Sequence, residues 1–342
     1  MIYNPVELVR IVAVLEAAAT ALEVDLVAAL ALRPVAAAVA LAKVGHTVLR
    51  IRKLQAAVVA AGLHYNALEN NLPNRMQALL GGTLHLAGGL LAGALAPLPL
   101  IGETRVTAKA VSGWFSARQS RTLPDLIAGL VATEKQNRPV IRIEQVFGAA
   151  TRQFVVYVSG TQQWSPLNNK NPLDLGSDLQ AYAGAERSGS ERAVAQAMRA
   201  AGIGKQPTDR VLFVGFSQGA LVSANLAATA KDYKVSGLVS LGGPISQVQL
   251  PAKLPVLAIE HQSDVVPLLD GGTAQNTGNR VTLAPPPLPG APAHNLLSYS
   301  HTAQGLNSQL PQGAAQVIDE LMPGGSYTMG RWFELSRESG TP

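Results

Sequence analysis

Residues 211–230 constrain the fold of this chain more than any other stretch. An apolar, β-branched run, Val211-Leu-Phe-Val214, passes without a linker into Gly215-Phe-Ser217-Gln-Gly219, and then into an Ala- and Leu-rich run suited to a helix. A strand that is apolar on both faces needs cover on both, and so short a turn leaves the helix packed directly against it. The same texture repeats on either side. Helices are expected over 124–134, near 190–201, from 218 to about 230 and near 314–321. A hairpin-like pair of strands is expected over 140–146 and 153–159, with further strands over 211–214, 238–241, 256–260 and 281–284. Such alternation predicts an α/β fold built on a mainly parallel, doubly covered sheet. Its chemistry belongs at the carboxyl ends of the strands.

Gly215-Phe-Ser217-Gln-Gly219 has the G-x-S-x-G spacing in the context that gives it meaning, a strand before and a helix after. The turn would hold Ser217 in a strained backbone geometry, with small neighbours letting strand and helix approach. The helix N-terminus then favours negative charge developing beside the hydroxyl. A serine hydroxyl is a poor nucleophile near neutral pH, so it needs a base and an acid to orient that base. Downstream of Ser217 the acids are Asp232, Glu260, Asp264, Asp270, Asp319 and Glu320. Asp264 follows the strand at 256–260 by one short turn, His261-Gln-Ser-Asp264-Val-Val-Pro267, which places a carboxylate just past a strand end. Asp270, deeper in the loop, reads as a surface turn residue.

Three histidines follow the serine. His261 precedes the acid at a strand end and reads as structural or peripheral to the site. His294 follows the proline-rich loop Pro285-Pro-Pro-Leu-Pro-Gly-Ala-Pro292 and begins an H-x-x-x-x-Y spacing that ends at Tyr299. It is the preferred base, with His301 the alternative. An oxyanion needs two backbone donors. Gln218 supplies one, and Thr161 or Gln162, just after Gly160 at the end of the strand over 153–159, supplies the other. The long polar stretch from Trp164 to about Gly189 suits a substrate cleft.

These residues together resemble the α/β-hydrolase superfamily. Gly215-Phe-Ser-Gln-Gly-Ala220 is similar to the elbow of cutinases and of the hydrolase domain attached to PE and PPE proteins. Gly160-Thr161 and Asp264-Val-Val-Pro267, with His294 ahead of Tyr299, are similar to class 3 lipases. The resemblance covers roughly residues 120–325. It implies a serine esterase or lipase that works through an acyl-enzyme on an ester or lipid-like substrate, without metal or organic cofactor. One departure is plain: cutinases normally carry disulfides, and this chain has no cysteine.

The 342-residue length suits about two domains. We divide the chain into a helical hairpin at 1–75, a Gly/Pro-rich apolar connecting segment at 76–119, the hydrolase-like domain at 120–325 and a C-terminal tail at 326–342. Asn4, Pro5 and Glu7 suit a helix start, and Pro34 interrupts the run, so two antiparallel Ala-rich helices are expected. Tyr65 and Glu69 form a Y-x-x-x-E spacing that resembles the helical hairpins of type VII secretion substrates. The tryptophan–glycine turn of the WXG type is absent, since Arg33-Pro34 occupies the bend. That resemblance implies a type VII secretion partner.

Residues 1–33 carry Glu7, Arg10, Glu16, Glu23 and Asp25, which leaves no apolar core for a Sec signal peptide. The chain is therefore expected either in the cytoplasm or exported by a non-Sec, type VII-like route. Residues 76–102 lack formal charge and are long enough to span a bilayer, but their glycines and prolines favour a hairpin or hinge packed on protein. The net charge of +5 is concentrated in the first 120 residues, which hold ten basic and six acidic side chains. Peripheral contact with an anionic membrane surface is consistent with that surplus, and no aromatic or Arg-rich stripe points to nucleic acid.

With 14% charged residues the composition excludes a disordered or coiled-coil chain. The absence of cysteine excludes thiolate metal sites, iron–sulfur clusters and a cysteine nucleophile. No H-E-x-x-H, P-loop or dinucleotide-binding glycine pattern occurs. Three readings remain: ester hydrolysis, acyl transfer or thioester cleavage on the same residues, and a catalytically silent hydrolase-like fold serving secretion or interaction.

Overall fold

Side chains alternate along a strand, so a strand buried on both faces must feed two cores. In the computed structural model, which describes residues 105–163, 170–174, 187–264, 279–306 and 313–338 with Ser177, Val266, Pro267 and Asn276, this holds throughout the centre of the sheet. In chain order the described elements are β1 (Val106–Ala110), β2 (Phe115–Ala117), α1 (Leu123–Glu134), β3 (Val140–Phe147), β4 (Gln153–Val158), α2 (Gly189–Ala200) and β5 (Arg210–Phe216). They continue with α3 (Gln218–Ala228), β6 (Lys234–Leu241), β7 (Val256–Ile259), β8 (Arg280–Leu283), α4 (Leu296–Leu306), α5 (Ala314–Leu321) and β9 (Tyr327–Arg337). Val211 and Phe213 of β5 enter one apolar cluster with α2 and α3. Leu212, Val214 and Phe216 enter the other, with α1, α4 and α5.

The strands join in one mixed sheet in the order β1-β9-β3-β4-β5-β6-β7-β8, with β2 also paired to β9. Strands β4 to β8 run parallel, as the strand–helix alternation predicts. The other half is antiparallel. Because β4, β5, β7 and β8 are parallel, the segments that leave their carboxyl ends share one edge of the sheet.

Local chemistry explains the helix starts. Thr122 and Asp125 form a reciprocal capping box at α1, and the Ser188 hydroxyl accepts the Glu191 N–H at α2. α1 lies close on the sheet because Gly129 has no side chain. A Cβ there would meet the Tyr157 ring at 2.6 Å, and Tyr157 is held in place by donating to Glu144 Oε2 at 3.0 Å.

Three expectations are corrected. The tail at 326–342 contains β9, an 11-residue strand in the interior of the sheet order between β1 and β3. The connecting segment at 76–119 contains β1 and β2, both of which pair with β9. Residues 296–306 form α4, a helix absent from the elements expected above. Its Ser- and Thr-rich sequence has modest helix propensity, and it is the burial of Leu296, Tyr299 and Ala303 on one face that makes it a helix. The expected helical hairpin at 1–75 and the apolar stretch at 76–102 lie outside the described residues. Among the described residues no helix is long and apolar enough to cross a membrane.

Candidate active site

The junction of β5 and α3 is built by close approach. A Cβ on Gly215 would lie 2.5 Å from the Ala220 nitrogen, and one on Gly219 would overlap the carbonyl oxygens of Val158 and Ser159. Only glycine at both positions lets the turn close. Between them Ser217 adopts φ 55°, ψ −124°, a conformation that side-chain-bearing residues rarely take and that stores on the order of 1–3 kcal/mol of strain. Its N–H donates to the Leu241 carbonyl at 2.9 Å, which ties the strained residue to β6. Serine commonly caps helices through its hydroxyl, yet at α3 Ser217 makes no such cap. The hydroxyl is turned elsewhere.

It faces His294. Ser217 Oγ lies 2.9 Å from His294 Nε2, and His294 Nδ1 lies 2.7 Å from Asp264 Oδ2. A carboxylate oxygen only accepts, so the imidazole proton sits on Nδ1, and Nε2 is left to accept from the serine hydroxyl. Asp264 is held from three sides: Val266 N–H donates to Oδ1 at 2.9 Å, Tyr299 O–H donates to Oδ2 at 2.6 Å, and its own N–H donates to the His261 carbonyl. Phe216 stacks on the His294 ring at 4.8 Å between centroids, so the strand residue before the serine also orients the imidazole. All three side chains are buried. Ser217, Asp264 and His294, proposed from sequence alone, are thus brought together.

The other expected residues divide. His301 is exposed on α4, away from this chain of contacts, so the alternative base is not brought to Ser217. The Gln162 N–H donates to the Leu173 carbonyl at 2.9 Å, so it is engaged within the loop. Thr161 is buried just beyond Gly160, where a Cβ would lie 3.1 Å from Ser217 Cβ. The Gln218 N–H opens α3 and has no acceptor within the helix, while the Gln218 side chain donates to the Asp174 carbonyl at 2.9 Å. No family model, curated protein or solved structure matches the chain.

Sequence reasoning missed Glu134. At the end of α1 it looks like any solvated acid, yet burial pushes its carboxyl above the ordinary range, with Ser159, Gly160 and the His294 ring pulling it back. The sign of the consequence is fixed. An acid whose folded pKa is raised costs stability as pH climbs from the ordinary carboxylate value through the folded one. Glu134→Gln is therefore expected to stabilise the fold near pH 7 and to change little near pH 4, measured as urea midpoints at both pH values. Among the described residues no group of three or more metal-ligating side chains could hold an ion.

Proposed function

We propose that this chain is a serine hydrolase of the α/β-hydrolase type, cleaving carboxylic esters through Ser217, His294 and Asp264. The observation that carries the proposal is the unbroken hydrogen-bonded chain from Ser217 Oγ to His294 to Asp264, with the serine strained at a strand–helix turn. Ser217 Oγ attacks the ester carbonyl as His294 Nε2 takes its proton. The oxyanion that forms is met by the N–H groups of Gln218 and Thr161 at the helix N-terminus and the end of β4. His294 then passes the proton to the departing alcohol oxygen, which leaves Ser217 acylated. Water, deprotonated by the same imidazole, attacks the acyl carbonyl and releases acid and free serine. Asp264, hydrogen-bonded to Nδ1, orients the imidazole and stabilises the imidazolium in both halves.

A fluorophosphonate probe tests this directly, because it phosphonylates only a serine activated in this way. Wild-type chain is expected to label and Ser217→Ala is not. Equal labelling of the two, with the probe mapped to another residue, would remove Ser217 as the nucleophile.

A further inference from the structure

A base on a loop is useful only if something keeps its nitrogen within reach of the serine. His294 is the last residue but one of the stretch between β8 and α4, five of whose residues are prolines that lack an N–H to anchor them. The peptide beside His294 is anchored by a side chain: His261 Nδ1–H donates to the Ala293 carbonyl at 2.7 Å. A carbonyl only accepts, so this contact sets the His261 tautomer and leaves Nε2 to accept from the Thr302 hydroxyl of α4 at 2.8 Å. The same ring stacks on Tyr299 with centroids 3.8 Å apart and planes 8° apart. The His261 main-chain N–H donates to the Tyr299 oxygen at 3.1 Å, and that hydroxyl donates to Asp264. One buried histidine therefore touches both ends of the chain of contacts: the residue before the base and the hydroxyl that holds the acid.

We propose that His261 is a positioning residue for His294 and Asp264, acting through the Ala293 carbonyl and the Tyr299 hydroxyl; the proposal rests on the hydrolase reading above. A histidine that merely fills the core would matter for stability alone. A positioning histidine must affect the chemical step while leaving substrate binding intact.

Two variants separate these roles. His261→Phe keeps a ring to stack on Tyr299 but deletes the Nδ1–H donor, whereas His261→Asn places an amide N–H near the Nδ1 position and gives up the stack. Misplacing a catalytic group by about 1 Å can cost on the order of 100-fold. Phe is therefore expected to lower kcat on a nitrophenyl ester roughly 30-fold with KM within about 2-fold, and Asn to restore kcat to within about 5-fold of wild type. The second readout needs no turnover. The low-field proton resonance of His294 Nδ1–H, identified by its loss in His294→Ala, should shift or broaden in His261→Phe and stay near its wild-type position in His261→Asn. An unmoved resonance and unchanged kcat in His261→Phe would overturn the proposal, as would equal losses in both variants that track only their folded fraction. Absence of labelling and turnover in the wild type would instead overturn the hydrolase reading, and the resonance would still decide the role of His261.

Discussion

On the hydrolase reading proposed above, Asp264→Asn is expected to lower kcat on a nitrophenyl ester by about 10⁴, close to 5 kcal/mol of transition-state stabilisation, with little change in KM. The carboxylate accepts three hydrogen bonds: Val266 N–H at Oδ1, and both Tyr299 O–H and His294 Nδ1–H at Oδ2. An asparagine must put its amide nitrogen, a donor only, at one of these two positions. The Val266 donor is backbone and cannot turn away, so the amide oxygen is held there and the nitrogen faces Tyr299 and His294. The tyrosine hydroxyl can rotate to accept. His294 Nδ1 can accept only by losing its proton, which moves the proton to Nε2 and faces the Ser217 hydroxyl with a second donor. The base is then in the wrong tautomer, though nothing has moved. Steady-state kinetics together with imidazole nitrogen shifts check this. Turnover within 10-fold of wild type, with the Nδ1 proton retained, would show that Asp264 does not set the tautomer.

How much of this could be read from the residues is a matter of sequence distance. The strand–turn–helix at Ser217 is local, and so are the apolar β-branched runs of β4 to β8, whose periodicity declares a doubly covered sheet. Asp264 and His294 are remote from Ser217, but each follows a strand, and strand ends in a parallel sheet converge whatever their spacing along the chain. β9 has no such local signature. Its buried positions Thr328, Gly330, Phe333 and Leu335 alternate imperfectly, Arg331 and Glu334 blur the pattern, and its partners β1 and β3 lie far back in the chain. His294 is set ahead of His301 by its spacing to Tyr299, whereas the hydrogen bond that engages Gln162 with Leu173 leaves no mark in composition or spacing. His261 shows the same limit: the Ala293 carbonyl that accepts from its ring and the Thr302 hydroxyl that donates to it lie 32 and 41 residues further on and meet it only in the folded chain.

Arg337→Ala is expected to cost about 3–5 kcal/mol and to lower the melting temperature by roughly 6–20 °C. Arg337 ends β9 and its guanidinium grips both oxygens of Asp174, while Nη2 also donates to Ser177 Oγ at 2.8 Å. The Asp174 side chain is 0% exposed and that of Arg337 10%, so this is an interior pair. Removing the cation leaves a buried carboxylate without its counter-charge, which is why the loss exceeds the ~0–1 kcal/mol of an exposed pair. The consequence should reach the candidate site. The Asp174 carbonyl accepts the Gln218 side chain, and the neighbouring Leu173 carbonyl accepts the N–H groups of Gln162 and Gln163, so the pair holds the strip that contacts the residue after Ser217. Arg337→Lys should recover only part of the loss, since an ammonium cannot match a carboxylate with two parallel donors. Asp174→Leu combined with Arg337→Met should recover more, because no charge is then left stranded. Thermal melts at low and high salt discriminate the cause. Salt screens exposed charges and hardly reaches interior ones, so a wild-type advantage over Arg337→Ala that vanished in 1 M salt would mean that the pair acts as a surface contact and that β9 is held by its backbone ladder alone.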